Sequence, residues 1–532
     1  IGVLFILLYL GFGTFVQEGK EVFRHAKLEN GLTYYIRHTT TNLGHADFYL
    51  VQNVGALMEE DNQNGLAHFL EHMAFNGSKS FQEGIPHFLN RRGIKQFNAH
   101  TGQDETIYYI NRVPTKDELL VDSCLLVLKD WSGFLLLDPV EIDKERGVIF
   151  EERRSRRDVG ERVREQTDPY LFNHSKYATR NVIGTVEVLE NFTPEELRAY
   201  YKDYYRPDQQ AVIVVGDVDV VKIEKEIQRL FNPIPKRENP KPRLVYEIPD
   251  NMEPLYTKVI DKEIPNPAII LTKRIRKDKL ITPKEMLKNN LLRRFYNNIM
   301  EKQLEAYINT RDPYFTTTMV NYGRLVRNYD RWQVYVQAYP GKERAALKEL
   351  MEAIERVNRY SLNEKELKKQ IDAYLPGLDD TEKYKGELSN DTYVQLYQNN
   401  FLEGNPVLSA EDDIRFSREI LADLTAKDLQ EWVASWYNDD KNWVYVVQGA
   451  DASYDFPASD EIREIMQEAR KAEIASLDLE LKAVPLMDFV VQGGEIVKEK
   501  KIKPLEAELW TLSNGCKVYY KFTKADGVKV SL

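Results

Sequence analysis

The sequence predicts an α+β fold: two tandem related domains of mixed sheet packed with helices, plus the start of a third. Two internal echoes and one pattern of elements carry that expectation. The segment Phe192-Thr-Pro-Glu-Glu-Leu-Arg-Ala-Tyr-Tyr-Lys-Asp-Tyr-Tyr-Arg-Pro-Asp208 leads into a β-branched run at 211–215 and then Gly216-Asp217. Much later, Leu424-Thr-Ala-Lys-Asp-Leu-Gln-Glu-Trp-Val-Ala-Ser-Trp-Tyr-Asn438 leads into a similar run at 443–447 and Gly449. In each copy a threonine (Thr193, Thr425) can cap a helix with an acid three residues on (Glu196, Asp428), and a short connection enters a strand. The second echo pairs Leu28-Glu-Asn-Gly-Leu-Thr-Tyr-Tyr35 with Leu512-Ser-Asn-Gly-Cys-Lys-Val-Tyr-Tyr520, each a turn followed by a strand. Helices of roughly 10 to 20 residues mix with these strands without the strict alternation of a doubly wound sheet.

Along the chain, residues 1–16 form an apolar stretch too short to cross a bilayer comfortably. Residues 1–19 therefore read as a signal-peptide-like segment, although neither a Met nor a basic n-region precedes the apolar run. That reading implies export to the periplasm or outside the cell, with no stable membrane insertion after signal removal; an N-terminal anchor or a buried helix is the alternative. A first domain is expected over 20–245 and a degenerate repeat of it over 246–490. Residues 491–506, charged and holding Pro504, read as a linker. Residues 507–532 then open a truncated third repeat, so the sequence reads as the front half of a longer protein; a short hairpin docking back on the second domain is the other possibility.

Composition narrows the function classes. A length of 532 residues calls for about two to four domains. A hydrophobic fraction of 42% with 30% charged residues is that of a folded chain with a solvated surface. The net charge of -11, with no long basic block, argues against nucleic acid as a partner. Only Cys124 and Cys516 occur, which excludes a disulfide framework and a Cys-based zinc site. The many aromatics of the second domain, such as Tyr314, Phe315, Tyr322 and Trp332, read as core rather than as a binding stripe.

All eight histidines lie in the first 174 residues, so histidine-based metal chemistry belongs to the first domain. There Gly65-Leu-Ala-His-Phe-Leu-Glu-His-Met-Ala-Phe-Asn-Gly77 contains H-x-x-E-H. Residues four apart share one helix face, so His68 and His72 can turn both imidazoles to one cation, with Glu71 beside them. Asn62 or Asn64 is expected to cap the helix, Leu66, Phe69, Leu70 and Met73 to bury it, and Asn76-Gly77 to end it in a left-handed turn. Two histidines leave a catalytic zinc one protein ligand short, and a carboxylate or a distant histidine must complete it. In Lys144-Glu-Arg-Gly-Val-Ile-Phe-Glu-Glu-Arg-Arg154, helical spacing puts Glu145, Val148, Ile149 and Glu152 on one face and rotates Glu151 away, which favours Glu152.

This pair of elements, H-x-x-E-H and about 80 residues later Glu145-Arg-Gly-Val-Ile-Phe-Glu-Glu152, resembles the pitrilysin/insulinase family of inverted-motif zinc peptidases. Tyr200-Tyr201, Tyr204-Tyr205-Arg206-Pro207-Asp208, the run from Val212 to Asp217 and the Leu-x-Asn-Gly openings extend the likeness. The order of elements and the signal-like start are most similar to the exported bacterial four-domain branch. The resemblance implies a half-clamshell holding one Zn2+ per chain on His68, His72 and Glu152, with Glu71 as general base and Glu145 as supporting acid. It also implies an edge strand at Asn98, Ala99, His100 and Thr101 that pairs with peptide substrates. His100 is a tempting ligand there, but Glu152 fits the family better. The expected function is thus a zinc metalloendopeptidase acting on short or unfolded peptides, with the missing C-terminal half or a second subunit closing the chamber; the chain alone is expected to be inactive if the carbonyl-holding Arg and Tyr come from that half. The alternative is a catalytically silent peptide-binding or structural subunit of the same fold. One departure from the family pattern, Arg180-Asn-Val-Ile-Gly184 in place of Arg-x-Pro-Ile-Gly, has no interpretation in sequence alone.

Overall fold

A computed structural model describes residues 15–17, 20–277, 282–383, 388–476 and 493–522. The chain divides into two compact units, 1–479 and 480–532. Of the signal-like segment, only Phe15–Gln17 falls within the described residues, as a short strand; the remainder lies outside them.

The first unit contains two sheets. One holds β1 (Phe15–Gln17), β2 (Lys20–Lys27), β3 (Thr33–His38), β4 (His45–Gln52), β5 (Gln96–Thr101), β6 (Thr106–Pro114) and β7 (Gln210–Gly216), in the order β1-β2-β3-β7-β4-β6-β5. The other holds β8 (Leu255–Ile260), β9 (Ala268–Arg276), β10 (Phe315–Val326), β11 (Tyr329–Ala338) and β12 (Trp443–Gly449), in the order β10-β11-β9-β12-β8. Read from the parallel pair outward, β3-β7-β4-β6-β5 and β8-β12-β9-β11-β10 are the same plan, parallel at the first step and antiparallel at every later one. The sequence echo is the helix and strand at the heart of each copy. Helices Pro194–Tyr204 and Ala426–Tyr437 both open with capping boxes, Thr193 with Glu196 and Thr425 with Asp428, and lead into β7 and β12.

β7, Gln-Ala-Val-Ile-Val-Val-Gly, is buried at every position, as a strand covered on both faces must be. One face meets the helices of its own half. The other, with Tyr35, Ile213 and Val215, meets Tyr393, Val394 and Tyr397 of helix Asn390–Glu403 from the second half. Asn390 ties that helix down, donating to Asp47 Oδ2 at 2.8 Å and accepting from Thr39 Oγ1 at 2.7 Å. The turn between β10 and β11 is a second tie: Arg327, buried, donates to Glu105 Oε2 at 2.7 Å and to the Asp104 carbonyl at 3.1 Å, just past β5. In the second sheet Phe315, Tyr322 and Trp332 are core, whereas Tyr314 is exposed.

In the second unit β13 (Ile496–Ile502), β14 (Ala507–Leu512) and β15 (Lys517–Tyr520) form an antiparallel sheet in that order. Residues 496–502 of the stretch expected to be a linker form strand β13: its charges are compatible with a strand that is exposed along nearly its whole length. The two Asn-Gly turns share their hydrogen bonds. Asn30 Oδ1 accepts from Leu32 N as Asn514 Oδ1 does from Cys516 N, and Gly31 and Gly515 both take a positive φ, +102° and +86°. Residues 523–532 of the expected third repeat lie outside the described residues.

Candidate metal centre

The helix Leu66–Met73 begins at Gly65, which sits at φ +107°. Its first amides are capped by neither Asn62 nor Asn64. Asn62 donates instead to Glu196 Oε1, and Asn64 to the Thr179 carbonyl. The acceptor is Glu59, fully buried, whose two oxygens take the N–H groups of Gly65 (3.0 Å) and Ala67 (2.7 Å). A carboxylate there satisfies orphan donors and opposes the positive end of the helix dipole. Burial nevertheless pushes the Glu59 carboxyl up to about 8, against those two amides and Arg180. At the other end Gly77 does not take a positive φ, so the expected left-handed stop is absent; the Trp131 indole N–H closes the Ala74 carbonyl at 2.8 Å. The acidic run Glu59-Glu60-Asp61 ahead of the helix was the available sequence signal for this cap.

In the segment 180–184 the two ends, Arg180 and Gly184, keep the family pattern and have structural roles; the departure itself, Val182, has no structural explanation. Arg180, buried, donates to the Glu59 carbonyl at 3.2 Å. Gly184 sits back to back with Gly65: a Cβ on Gly184 would lie 2.6 Å from Gly65 Cα and 2.7 Å from the Asn64 carbonyl. The Gly184 carbonyl accepts from Arg153 Nη1 at 2.8 Å. This loop thus bridges the histidine helix and the helix Pro139–Arg156 that carries Glu145 and Glu152.

Between these helices the side chains converge. The His68 and His72 rings lie 4.7 Å apart, inclined by 66°. Glu152 Oε2 is 3.2 Å from His72 Nε2 and 3.7 Å from His68 Nε2. Among the described residues these three offer one ligand atom each within 4.8 Å of one another, a group that could hold a metal ion. Glu151 points away and pairs with Arg154, while Val148, expected on the inner face, is exposed. Glu145 Oε1 meets His72 Nδ1 at 2.8 Å; with the Nδ1 proton assigned to that contact, the Nε2 lone pair faces Glu152 and the group's centre.

The donor set fits zinc. Glu152 Oε2 is buried with no hydrogen-bond partner, and its other oxygen is held by Arg156. Burial, with His72 and Arg156 nearby, depresses His68 to about 3, so this imidazole is neutral and able to ligate. For His72 burial acts the same way, but the carboxylates of Glu145, Glu152 and Glu71 outweigh it and raise the pKa. Glu145 is lowered, first by its bond to His72. Two imidazoles and one carboxylate leave a fourth position open, as catalytic zinc sites do.

Glu71 is buried, and burial raises its carboxyl despite the hydrogen bond it accepts from Thr101 Oγ1 at 2.6 Å. Thr101 ends β5, the strand at the sheet's edge, so this bond joins the acid to the strand expected to meet peptides. On β5, Ala99 is buried while Asn98 and His100 are exposed. His100 stands outside the metal group.

Comparison with known proteins follows the same geometry. Residues 39–176 match Insulinase (Peptidase family M16), and residues 191–374 match the Peptidase M16 inactive domain. The chain is 24% identical over 500 residues to the probable zinc protease PqqL of Escherichia coli K12, covering 92% of this chain and 53% of that protein. It is 34% identical over 220 residues to the probable zinc protease PqqL of Haemophilus influenzae, covering 40% of this chain and 24% of that one. The crystal structure of the first half of the periplasmic protease PqqL from Escherichia coli superposes with a TM-score of 0.77 at 22% identity, over 87% of this chain and 100% of that one. The chain spans about half the length of the full-length curated relatives that it matches over most of its own length. Among the described residues no helix is long and apolar enough to cross a membrane. With a matching family signature over both halves of the first unit, the chain belongs to the insulinase peptidase family, M16.

Proposed function

We propose that this chain is the metal-bearing half of a zinc endopeptidase that hydrolyses short or unfolded peptides. The observation that carries the reading is the convergence of His68, His72 and Glu152, with Glu71 beside them and bonded to the edge strand. His68, His72 and Glu152 would hold the ion, which supplies a Lewis acid and a water of lowered pKa when bound. Glu71 takes the proton of the attacking water and returns it to the leaving amine nitrogen; its raised pKa suits it to hold that proton between the two steps. Thr101 fixes the orientation of the Glu71 carboxylate, and Glu145 that of the His72 ring. A peptide added to the free edge of β5, along Asn98, Ala99, His100 and Thr101, is held by main-chain hydrogen bonds. The second half of the first unit shapes the chamber, and further chain of the length its relatives possess, or a second subunit, closes it. By likeness to the periplasmic PqqL, the protein is read as exported.

The test is metal content together with cleavage of a quenched unstructured peptide, with and without chelator. One zinc per chain and chelator-sensitive cleavage are expected. A chain that binds zinc and the peptide but does not cleave it, even beside its C-terminal half, is instead the silent subunit.

A further inference from the structure

A cavity of about 520 Å³ in the first unit is lined in part by the end of the helix that carries Glu152, and its wall carries six arginines: Arg153, Arg156, Arg157, Arg164, Arg180 and Arg331. That volume is in the range of ligand pockets. Three carboxylates share the wall, and two of them are engaged: Glu161 by Arg164 and Asn181, Glu165 by Arg157 at 3.8 Å. The third, Asp168, is pushed up to about 6 by burial and so carries only part of a charge near that pH. Positive charge is left over. Arg153 spends its hydrogen bond on a backbone carbonyl, whereas Arg180 is ion-paired with Asp61 and leaves only its Nε, buried, without a partner. Among the described residues no carboxylate lies within ion-pair distance of Arg331, and its burial without a compensating charge lowers its pKa.

The position of this charge matters as much as its amount. Arg156, which lines the cavity, also pairs with Glu152 of the metal group, so one side chain links the two. Gln103, two residues past the end of β5, lines it as well, its amide anchored on the Tyr177 carbonyl at 2.8 Å. A strand lying along β5 and continuing past Thr101 therefore runs into an arginine-lined space. Guanidinium groups with spare donors in a partly desolvated wall favour carboxylates, which they meet with paired N–H groups.

We infer that this cavity binds peptide carboxylates, either acidic side chains or a C-terminal carboxylate, next to the bond positioned at the metal group. The inference rests on the reading of β5 as the peptide's edge strand and adds a substrate class to it.

The test measures binding rather than turnover, using the full chain carrying Glu71→Gln. Three unstructured peptides of one sequence are compared by fluorescence anisotropy: one neutral with an amidated end, one with acidic side chains and an amidated end, and one neutral with a free carboxylate. At least one carboxylate-bearing peptide binds about tenfold tighter than the neutral amide at low salt, and the preference shrinks at high salt. Which peptide gains identifies the source of the carboxylate. The double variant Arg157→Gln/Arg331→Gln, with its Tm retained, loses the preference, and Arg331→Lys keeps most of it. Equal binding of all three peptides, a preference that survives the double variant, or binding of none overturns the proposal. Cleavage of the neutral peptide by the unsubstituted chain is scored separately, so hydrolysis stands or falls without it.

Discussion

The two sheets of the first unit share a strand order, but among the described residues the candidate ligand set belongs to the first half alone. If Phe69 is set against Phe295, the long helix Pro283–Thr310 presents Arg294, Asn297 and Asn298 where the first domain has His68, Glu71 and His72. The parallel extends to their partners. Asn298 Nδ2 donates to Gln370 Oε1 at 3.2 Å on the facing helix, as His72 meets Glu145. Asn297 exchanges two hydrogen bonds of 2.9 Å with the backbone of Tyr322 on β10, as Glu71 accepts from Thr101 on β5. Amides donate and accept, so at these positions the second copy satisfies its polar groups internally. The first copy buries an orphaned carboxylate oxygen, Glu152 Oε2, beside the two imidazoles, an arrangement that costs free energy unless a cation sits against it. The fold thus tolerates either set, and the metal chemistry is an occupant of the plan rather than a condition of it.

The largest expected effect is on chemistry. Glu71→Gln should lower kcat by about 10²- to 10⁴-fold with zinc content unchanged, read by peptide cleavage beside metal analysis. The matching change in the second copy, Asn297→Asp, should leave zinc content at one per chain. Next, Glu145→Gln should weaken zinc binding by about 10- to 100-fold, measured by competition with a chromophoric chelator, because the His72 ring loses its carboxylate. Gln370→Ala in the second copy should cost stability but no zinc.

Gly184→Ala should destabilise the first domain by about 2 kcal/mol or more, since the methyl meets Gly65 and the Asn64 carbonyl at a positive φ. Urea unfolding, followed with zinc affinity, would show both fall together if the loop positions the histidine helix against Glu152. Asn298→Ala, by contrast, should cost about 1 to 3 kcal/mol, the penalty for leaving Gln370 partly unpaired, with zinc affinity untouched.

The smallest effect concerns pH. The Glu59 carboxyl is raised from its ordinary 4.5 to about 8 in the folded chain, so the folded state keeps a proton that the unfolded state releases. Its contribution to stability is full below pH 4.5, declines as pH rises, and is gone above about 8. Metal-free unfolding free energy should fall over that interval, and Glu59→Gln should flatten the decline; an unchanged slope would place Glu59's proton elsewhere.

Much of the site was legible before any fold. The i, i+4 spacing of His68 and His72, the rotation that sets Glu152 inward and Glu151 outward, the capping boxes at Thr193 and Thr425 and the two Asn-Gly turns all act within a few residues, where helix and turn geometry decide the outcome. The cap of the histidine helix was misread because the partners of the candidate caps are distant. Asn62 and Asn64 are plausible caps by local rules, yet the tertiary contacts offered each a different acceptor and left the helix to Glu59. Residues 496–502, inside the stretch read as a linker, pair with β14 as strand β13.

By itself, then, the sequence determined the two repeated helix-and-strand units, the pair of imidazoles on one face and the residue types able to complete their set, because these follow from backbone periodicity. Only the tertiary structure decided that Glu152 reaches the imidazoles, that Gly184 lies against Gly65, that Thr101 meets Glu71, and that arginines from four separate segments line one cavity. Those contacts join residues dozens to hundreds of positions apart. Their existence depends on how the sheets order their strands, which no local spacing encodes.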